Sequence, residues 1–164
     1  MPLTSYAIYG IIHHRDKNIR IKNMKLQITK SKNATTPTYG TSDSAGMDLY
    51  SAEDVVINPG DTRLIDTGVA FAIPEGFVGL VVPRSGLSLR TSLRQPNCVG
   101  VIDCDYRGRV HGMFQNTGSE PITIEKGMRF AQMMIVPYVK CDIEVVDVLT
   151  ATERGANGFG STGR

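Results

Sequence analysis

At 164 residues, with 18 Lys and Arg against 16 Asp and Glu, the chain is sized for one domain with a real core, and a net charge of +2 is too slight for a nucleic-acid or membrane surface held by bulk charge. Cys98, Cys104 and Cys141 are odd in number and show no C-x-x-C spacing, which argues against a disulfide framework or a zinc site and suits a reducing cytosol. No apolar run approaches the roughly 20 residues of a membrane helix and no signal-like segment opens the chain, so a soluble, cytoplasmic protein is expected, with a nuclear or viral or phage-infected-cell setting left open.

Residues 1–23 show no clear pattern, and the composition shifts at Met24. They are expected to be an N-terminal extension, disordered or not native, with Met24 as the candidate start and His13 and His14 as a solvated pair. Met24-Lys-Leu-Gln-Ile-Thr alternates like a first strand. From Leu26 to Val148 short apolar runs recur between turn signals: Val55-Val-Ile before Asn58-Pro-Gly-Asp, Val69 to Ile73 before Pro74-Glu-Gly, and Val78 to Val82 before Pro83. Val110 to Phe114, Ile122 to Ile124, Phe130 to Val136 and Ile143 to Val148 continue the series. Many short β-branched strands at this spacing predict an all-β fold, a jelly-roll-like barrel or sandwich spanning 24–150. One short helix is expected over Ser85 to Leu93, where Leu87, Leu89 and Leu93 form an imperfect apolar face. Residues 151–164 hold Gly155, Gly158, Gly160 and Gly163 and almost no apolar surface, which predicts a flexible tail.

Four stretches carry candidate chemistry. Asn97 to Tyr106 reads as a strand running into acids, with Val99, Val101, Asp103 and Asp105 on one face of an otherwise buried strand; an Asp-Tyr turn ending a strand is the plain alternative. Pro83-Arg-Ser-Gly86 joins a guanidinium, a hydroxyl and free amides at a helix start, a ready anion site or a simple capped turn. Asp48, between small and apolar residues, could orient a water on a hydrated Mg²⁺ or cap a turn. In the tail, Gly158-Phe-Gly-Ser-Thr-Gly163 matches a dinucleotide fingerprint but lacks the following helix, and Gly155 to Thr162 resembles a Walker A loop with Ser161 where lysine belongs. What remains there is a phosphate grip of Arg154, Ser161, Thr162 and glycine amides, with Phe159 as a ring able to stack.

Ala45-Gly-Met-Asp-Leu-Tyr-Ser-Ala52, Pro83-Arg-Ser-Gly-Leu87, Gly100-Val-Ile-Asp-Cys-Asp-Tyr-Arg-Gly108, Gly127-Met-Arg-Phe-Ala-Gln-Met133 and Arg154 to Gly163 together resemble, in order, the five motifs of the homotrimeric dUTP diphosphatases. The resemblance covers about residues 24–164. It implies a jelly-roll subunit, a homotrimer whose sites are shared between chains, Mg²⁺ as cofactor, and hydrolysis of dUTP to dUMP and pyrophosphate, which limits uracil in DNA and supplies dUMP for thymidylate. By that resemblance Asp103 is the general base, Asn97 with the backbone of Gly100 and Val101 reads uracil, and Tyr106 lies beneath the deoxyribose. Arg84, Ser85, Gly86 and Gln132 hold the α- and β-phosphates, and Asp48 meets Mg²⁺ through water. Arg154, Gly160, Ser161 and Thr162 close on the γ-phosphate while Phe159 covers the base; Asp105 ranks as structural. Asn157 departs from the family's glycine, and Arg109 and His111 add charge on an expected exposed face. Two competing readings are a dCTP deaminase-like enzyme, against which the Asn97–Tyr106 stretch lacks a glutamate, and a catalytically idle deoxynucleotide-binding signalling trimer.

Overall fold

A computed structural model describes residues 24–158. Its elements are β1 (Gln27–Lys30), β2 (Thr38–Tyr39), β3 (Met47–Tyr50), β4 (Val55–Ile57), β5 (Thr62–Ala72), β6 (Phe77–Pro83), α1 (Ser85–Arg90), β7 (Leu93–Arg94), β8 (Gly100–Ile102), β9 (Arg109–Asn116), β10 (Ile122–Ile124) and β11 (Arg129–Pro137). The strands pair antiparallel into a four-stranded sheet of order β1-β5-β9-β7, a five-stranded sheet of order β2-β3-β11-β6-β8, and the pair β10-β4. Among the described residues this is the expected all-β, jelly-roll architecture with one short helix.

The inward faces follow from period-two alternation. In β9, Val110, Gly112, Phe114 and Asn116 are buried while Arg109 and His111 are exposed. Phe114 meets Phe130 of β11 edge to face, ring centroids 5.7 Å apart at 73°, and this pair joins the two large sheets through the core. Leu49, Ile57, Ile65, Ile124 and Met133 are fully buried around it. Asn116 is a fully buried polar residue in this core. Its Nδ2 donates to the carbonyls of Ile57 and Glu120 at 2.9 and 2.7 Å, and its Oδ1 accepts from Ser92 Oγ and the Gly118 amide at 2.7 and 3.0 Å. Its amide is satisfied on both sides, as a buried polar group must be.

Three expectations are corrected. The helix ends at Arg90 rather than running to Leu93, because Thr91 turns extended and its Oγ1 and amide both donate to the Leu87 carbonyl, at 2.7 and 3.0 Å. Leu87 alone faces the core from the helix; Leu89 is exposed, and Leu93 is buried as part of β7. Ile143 to Val148 forms no strand: the segment is exposed chain without a strand partner among the described residues. The first strand begins three residues after Met24, at Gln27. The expected extension 1–23 lies outside the described residues.

Candidate active site

β3, the end of β6 and β11 build one cavity. Asp48 stands on β3 directly across from Gln132 of β11, and Arg84 follows β6. The Asp48 carboxylate is buried and accepts from two guanidiniums: Arg84 Nε at 2.8 Å on Oδ1 and Arg129 Nη1 at 3.1 Å on Oδ2. A buried carboxylate requires such partners. Two cations against one anion leave this cavity net positive, and the first amides of α1, which have no intrahelical acceptor, add donors beside it. The cavity measures about 400 Å³ and is lined by Ser44, Gly46, Asp48, Arg84, Gly86 and Gln132, with Ser85 and Arg129 at its edge. Gly46 is small for a reason: a Cβ there would sit 3.2 Å from Gln132 Oε1 and push that amide aside. Thus Asp48, the Arg84–Gly86 stretch and Gln132, distant from one another in sequence, line one cavity. Arg129 is the residue that reading of the sequence missed. The signal was available, since a buried acid at 48 needs a second cation and Arg129 lies in the same motif as Gln132.

No group of three or more His, Cys, Asp or Glu side chains is placed to hold a metal among the described residues. A single carboxylate already engaged by two guanidiniums cannot supply an inner coordination shell for Mg²⁺. It fits a hydrated ion whose direct ligands are water and phosphate, with Asp48 one water removed.

The second cavity, of about 220 Å³, lies where β8 turns into β9 and is lined by Val101, Asp103, Tyr106, Arg109, Val110 and His111, with Ile102. The strand reading of this stretch needs correction. Only Gly100–Ile102 is strand, and Val99 and Val101 are exposed, Val101 at 62%. Of the four residues expected on one face, Val101 and Asp103 line the cavity, and none forms a core surface. β8 is the outer strand of its sheet, paired only with β6, so one side of this short hairpin is left open. After it the chain turns sharply: the Tyr106 amide donates to the Asp103 carbonyl at 3.2 Å, and Arg107 Nη1 donates to the Cys104 carbonyl at 2.6 Å. Gly108 leaves room for the Tyr106 ring, which a Cβ there would overlap, and the Tyr106 hydroxyl donates to the Arg109 carbonyl at 3.2 Å. Asp105 is exposed and stands outside both cavities. Asn97 is exposed at the entry to the hairpin, with Nδ2 3.9 Å from where a Gly100 Cβ would stand. Behind it the buried Gln95, another residue missed, donates from Nε2 to the Val81 carbonyl at 3.0 Å and anchors the hairpin to β6.

Tyr138, the first residue after β11, borders this turn from the other side. Its hydroxyl lies 3.9 Å from Cys104 Sγ, and the phenol is raised above its ordinary range, first by that hydrogen bond and then by the neighbouring thiol's charge, with smaller effects from burial, Asp103 and Glu75.

The two cavities are separate within one subunit. Ile102 pairs with Gly79 and Gly100 with Val81, so Asp103 falls level with Val78, at the far end of β6 from Arg84. At ~3.3 Å per residue that places them about 20 Å apart along the strand. From the tail, Arg154 sits in an exposed turn closed by the Gly155 amide to the Thr152 carbonyl at 3.1 Å and the Asn157 amide to the Arg154 carbonyl at 3.2 Å. Gly155 takes the positive φ of 52° and Asn157 does not, so asparagine is accommodated at 157. Phe159, Gly160, Ser161 and Thr162 lie outside the described residues.

A dUTPase family model matches residues 32–163. The deoxyuridine 5′-triphosphate nucleotidohydrolase of Nautilia profundicola is 46% identical over 86% of this chain and 100% of its own length, and that of Clostridium tetani is 43% identical over 86% and 97%. Among solved structures, the Staphylococcus bacteriophage 80alpha dUTPase with dUpNHpp superposes with a TM-score of 0.82 at 34% identity, covering 87% of this chain and all of that one. A variant of the dUTPase from phage phi11 of S. aureus, described with a coordinated structural Mg(II) ion, gives 0.72 at 30% identity over 76% and 98%. Family match, identity over nearly the whole described domain and shared fold agree, and the chain belongs to the dUTPase family.

Proposed function

We propose that the protein hydrolyses dUTP to dUMP and pyrophosphate in a site composed from more than one copy of the chain. The observation that carries this reading is the division of chemistry along β6: a positive, donor-rich cavity suited to phosphates at one end, and a slot with a carboxylate and a tyrosine at the other. One nucleotide cannot use both ends of the same strand, but it can use the slot of one subunit and the cavity of its neighbour. The exposed apolar chain after β11, with Ile143 and Val145 each more than 90% exposed, is surface of the kind that assembly covers. A homotrimer meets both requirements, and the family resemblance favours it.

In this reading Asn97 and the backbone of Gly100 and Val101 read the uracil edge, where fixed donors and acceptors discriminate against cytosine's amino group. Tyr106 lies beneath the deoxyribose and leaves no room for a 2′-hydroxyl. Arg84, Ser85, Gly86 and Gln132 hold the α- and β-phosphates, and Arg129 joins Asp48 in keeping Arg84 extended toward them. Asp103 accepts a proton from a water as its oxygen attacks the α-phosphorus in line, and the β,γ-pyrophosphate leaves with the electrons of the broken P–O bond. Asp48 would hold Mg²⁺ through water, and the ion, when bound, would supply neutralisation of the charge on the leaving group. Arg154, Gly160, Ser161 and Thr162 close over the γ-phosphate, and Phe159 covers the base. The setting is cytoplasmic, and the product dUMP feeds thymidylate synthesis.

The decisive measurement follows pyrophosphate and ammonia separately with dUTP, dCTP and UTP. Pyrophosphate from dUTP alone is expected. Ammonia from dCTP would indicate a deaminase, and binding of dUTP without turnover an idle nucleotide sensor. Removing residues 151–164 is expected to leave the oligomer intact and lower kcat by about a hundredfold, since the described tail residues are exposed and contribute closure rather than core. Gel filtration beside the rate assay checks this; loss of assembly would contradict it.

A further inference from the structure

β5 carries Thr67, Gly68 and Val69 opposite the single residue Val110 of β9, because the ladder runs through Asp66 against His111 and resumes at Ala70 against Arg109. A bulge of this kind frees backbone groups that a regular ladder would pair, and it re-aims the side chains beside it. Here the groups find other partners. Thr67 Oγ1 donates to the Val110 carbonyl at 2.7 Å, Ser31 donates its amide to the Gly68 carbonyl at 2.8 Å, and the Gly68 amide donates to Asp66 Oδ1 at 2.7 Å. Gly68 has φ +67°, and Ala34 Cβ and Ser31 Oγ would each lie 2.7 Å from an added Cβ, so only glycine makes this bulge. Asp66 is thereby fixed from behind.

Its remaining contacts face the slot. Oδ2 accepts from Arg109 Nη1 at 2.7 Å, and Oδ1 lies 3.6 Å from His111 Nε2. His111 Nδ1 in turn lies 2.9 Å from the Arg109 carbonyl, the same oxygen that accepts from the Tyr106 hydroxyl. Contacts therefore run without a gap from the bulge through Asp66 to Arg109 and His111, and from the Arg109 carbonyl to Tyr106. The Arg109 side chain is 57% exposed, so this ion pair adds little to stability. Its effect is geometric: it holds the first residue of β9 in place, and the Tyr106 ring hangs from that residue's carbonyl by its only described side-chain hydrogen bond.

We propose that Asp66 is a positioning residue for substrate selection: through Arg109 and His111 it fixes the Arg109 carbonyl, and so holds the Tyr106 ring at the height that rejects a ribose. The inference rests on the reading that the deoxyribose sits over Tyr106. A ring released by even an ångström would admit the 2′-hydroxyl and grip the deoxyribose less well.

The test compares wild type with Asp66→Asn, Arg109→Met and Arg109→Lys, measuring kcat and KM for dUTP and UTP, and the NMR signals of ¹³C-labelled tyrosine rings with Tyr106 assigned through Tyr106→Phe. For Asp66→Asn the preference for dUTP over UTP in kcat/KM is expected to fall about tenfold, carried by KM, with kcat on dUTP little changed; Arg109→Met, which also alters the slot lining, should lower the preference at least as far. Arg109→Lys, which keeps the ion pair, should retain most of the preference. Asp66→Asn should also move the Tyr106 signals in the free protein. A merely structural residue would lower both substrates alike by reducing the active fraction, so an unchanged preference with a folded variant overturns the proposal. Arg109, exposed and outside the core, covers the case in which Asp66→Asn fails to fold. Should wild type not hydrolyse dUTP, the functional reading fails on its own, and the Tyr106 signals still decide the positioning: unmoved signals in Asp66→Asn overturn it.

Discussion

Asp103→Asn is expected to lower kcat on dUTP by about a thousandfold, within the range a positioned general base contributes. The substitution is nearly isosteric; what it loses is the ability to take the water's proton. Asp103 is exposed on a turn and supports no core contact, so folding and assembly should be unaffected. Binding of a non-hydrolysable dUTP analogue, measured by calorimetry, should change less than threefold, which separates loss of chemistry from loss of the site. A rate near wild type would mean that the base lies elsewhere.

Gly112→Val is expected to have the largest effect on stability. Gly112 is buried at the centre of β9, opposite Ile65, and a Cβ there would run into the edge of the Phe130 ring, with the Phe114 ring 3.0 Å away. Those two rings join the sheets edge to face, so neither can turn aside without breaking the contact that closes the core. Valine adds two further methyl groups to the collision. Overpacking of this kind costs about 3 kcal/mol, a large part of the stability of a domain this size. A urea titration would show the midpoint shifted down with its slope unchanged. An unchanged midpoint would show that the sheets separate at no cost.

The fold class was legible because short β-branched runs between Pro-Gly and Asn-Pro-Gly turns permit little else, and every run from Val55 to Val136 became a strand. Ile143 to Val148 has the same composition and did not, since a strand needs a partner edge, and no edge of its own subunit reaches this segment. Val99 and Val101 misled in the opposite way: β-branched residues suggest burial, yet both are exposed, and Val101 lines an opening on the outer strand of a sheet. The residues that line the cavity around Asp48 and Arg84 were legible through motifs whose order matched a known pattern. Arg129 was not singled out, although the burial of Asp48 demands it. Asp66 gave no signal at all, because a bulge that places three residues against one cannot be read from alternation in either strand alone.

The two ends of β6 have a consequence for regulation by concentration. If one nucleotide must be served by the slot of one copy and the cavity of another, a folded but solitary chain is silent. Activity then follows mass action in the protein itself, falling as a power of dilution while spectroscopic signs of folding persist. Synthesis level, rather than any modification of the site, would set the threshold at which the enzyme switches on.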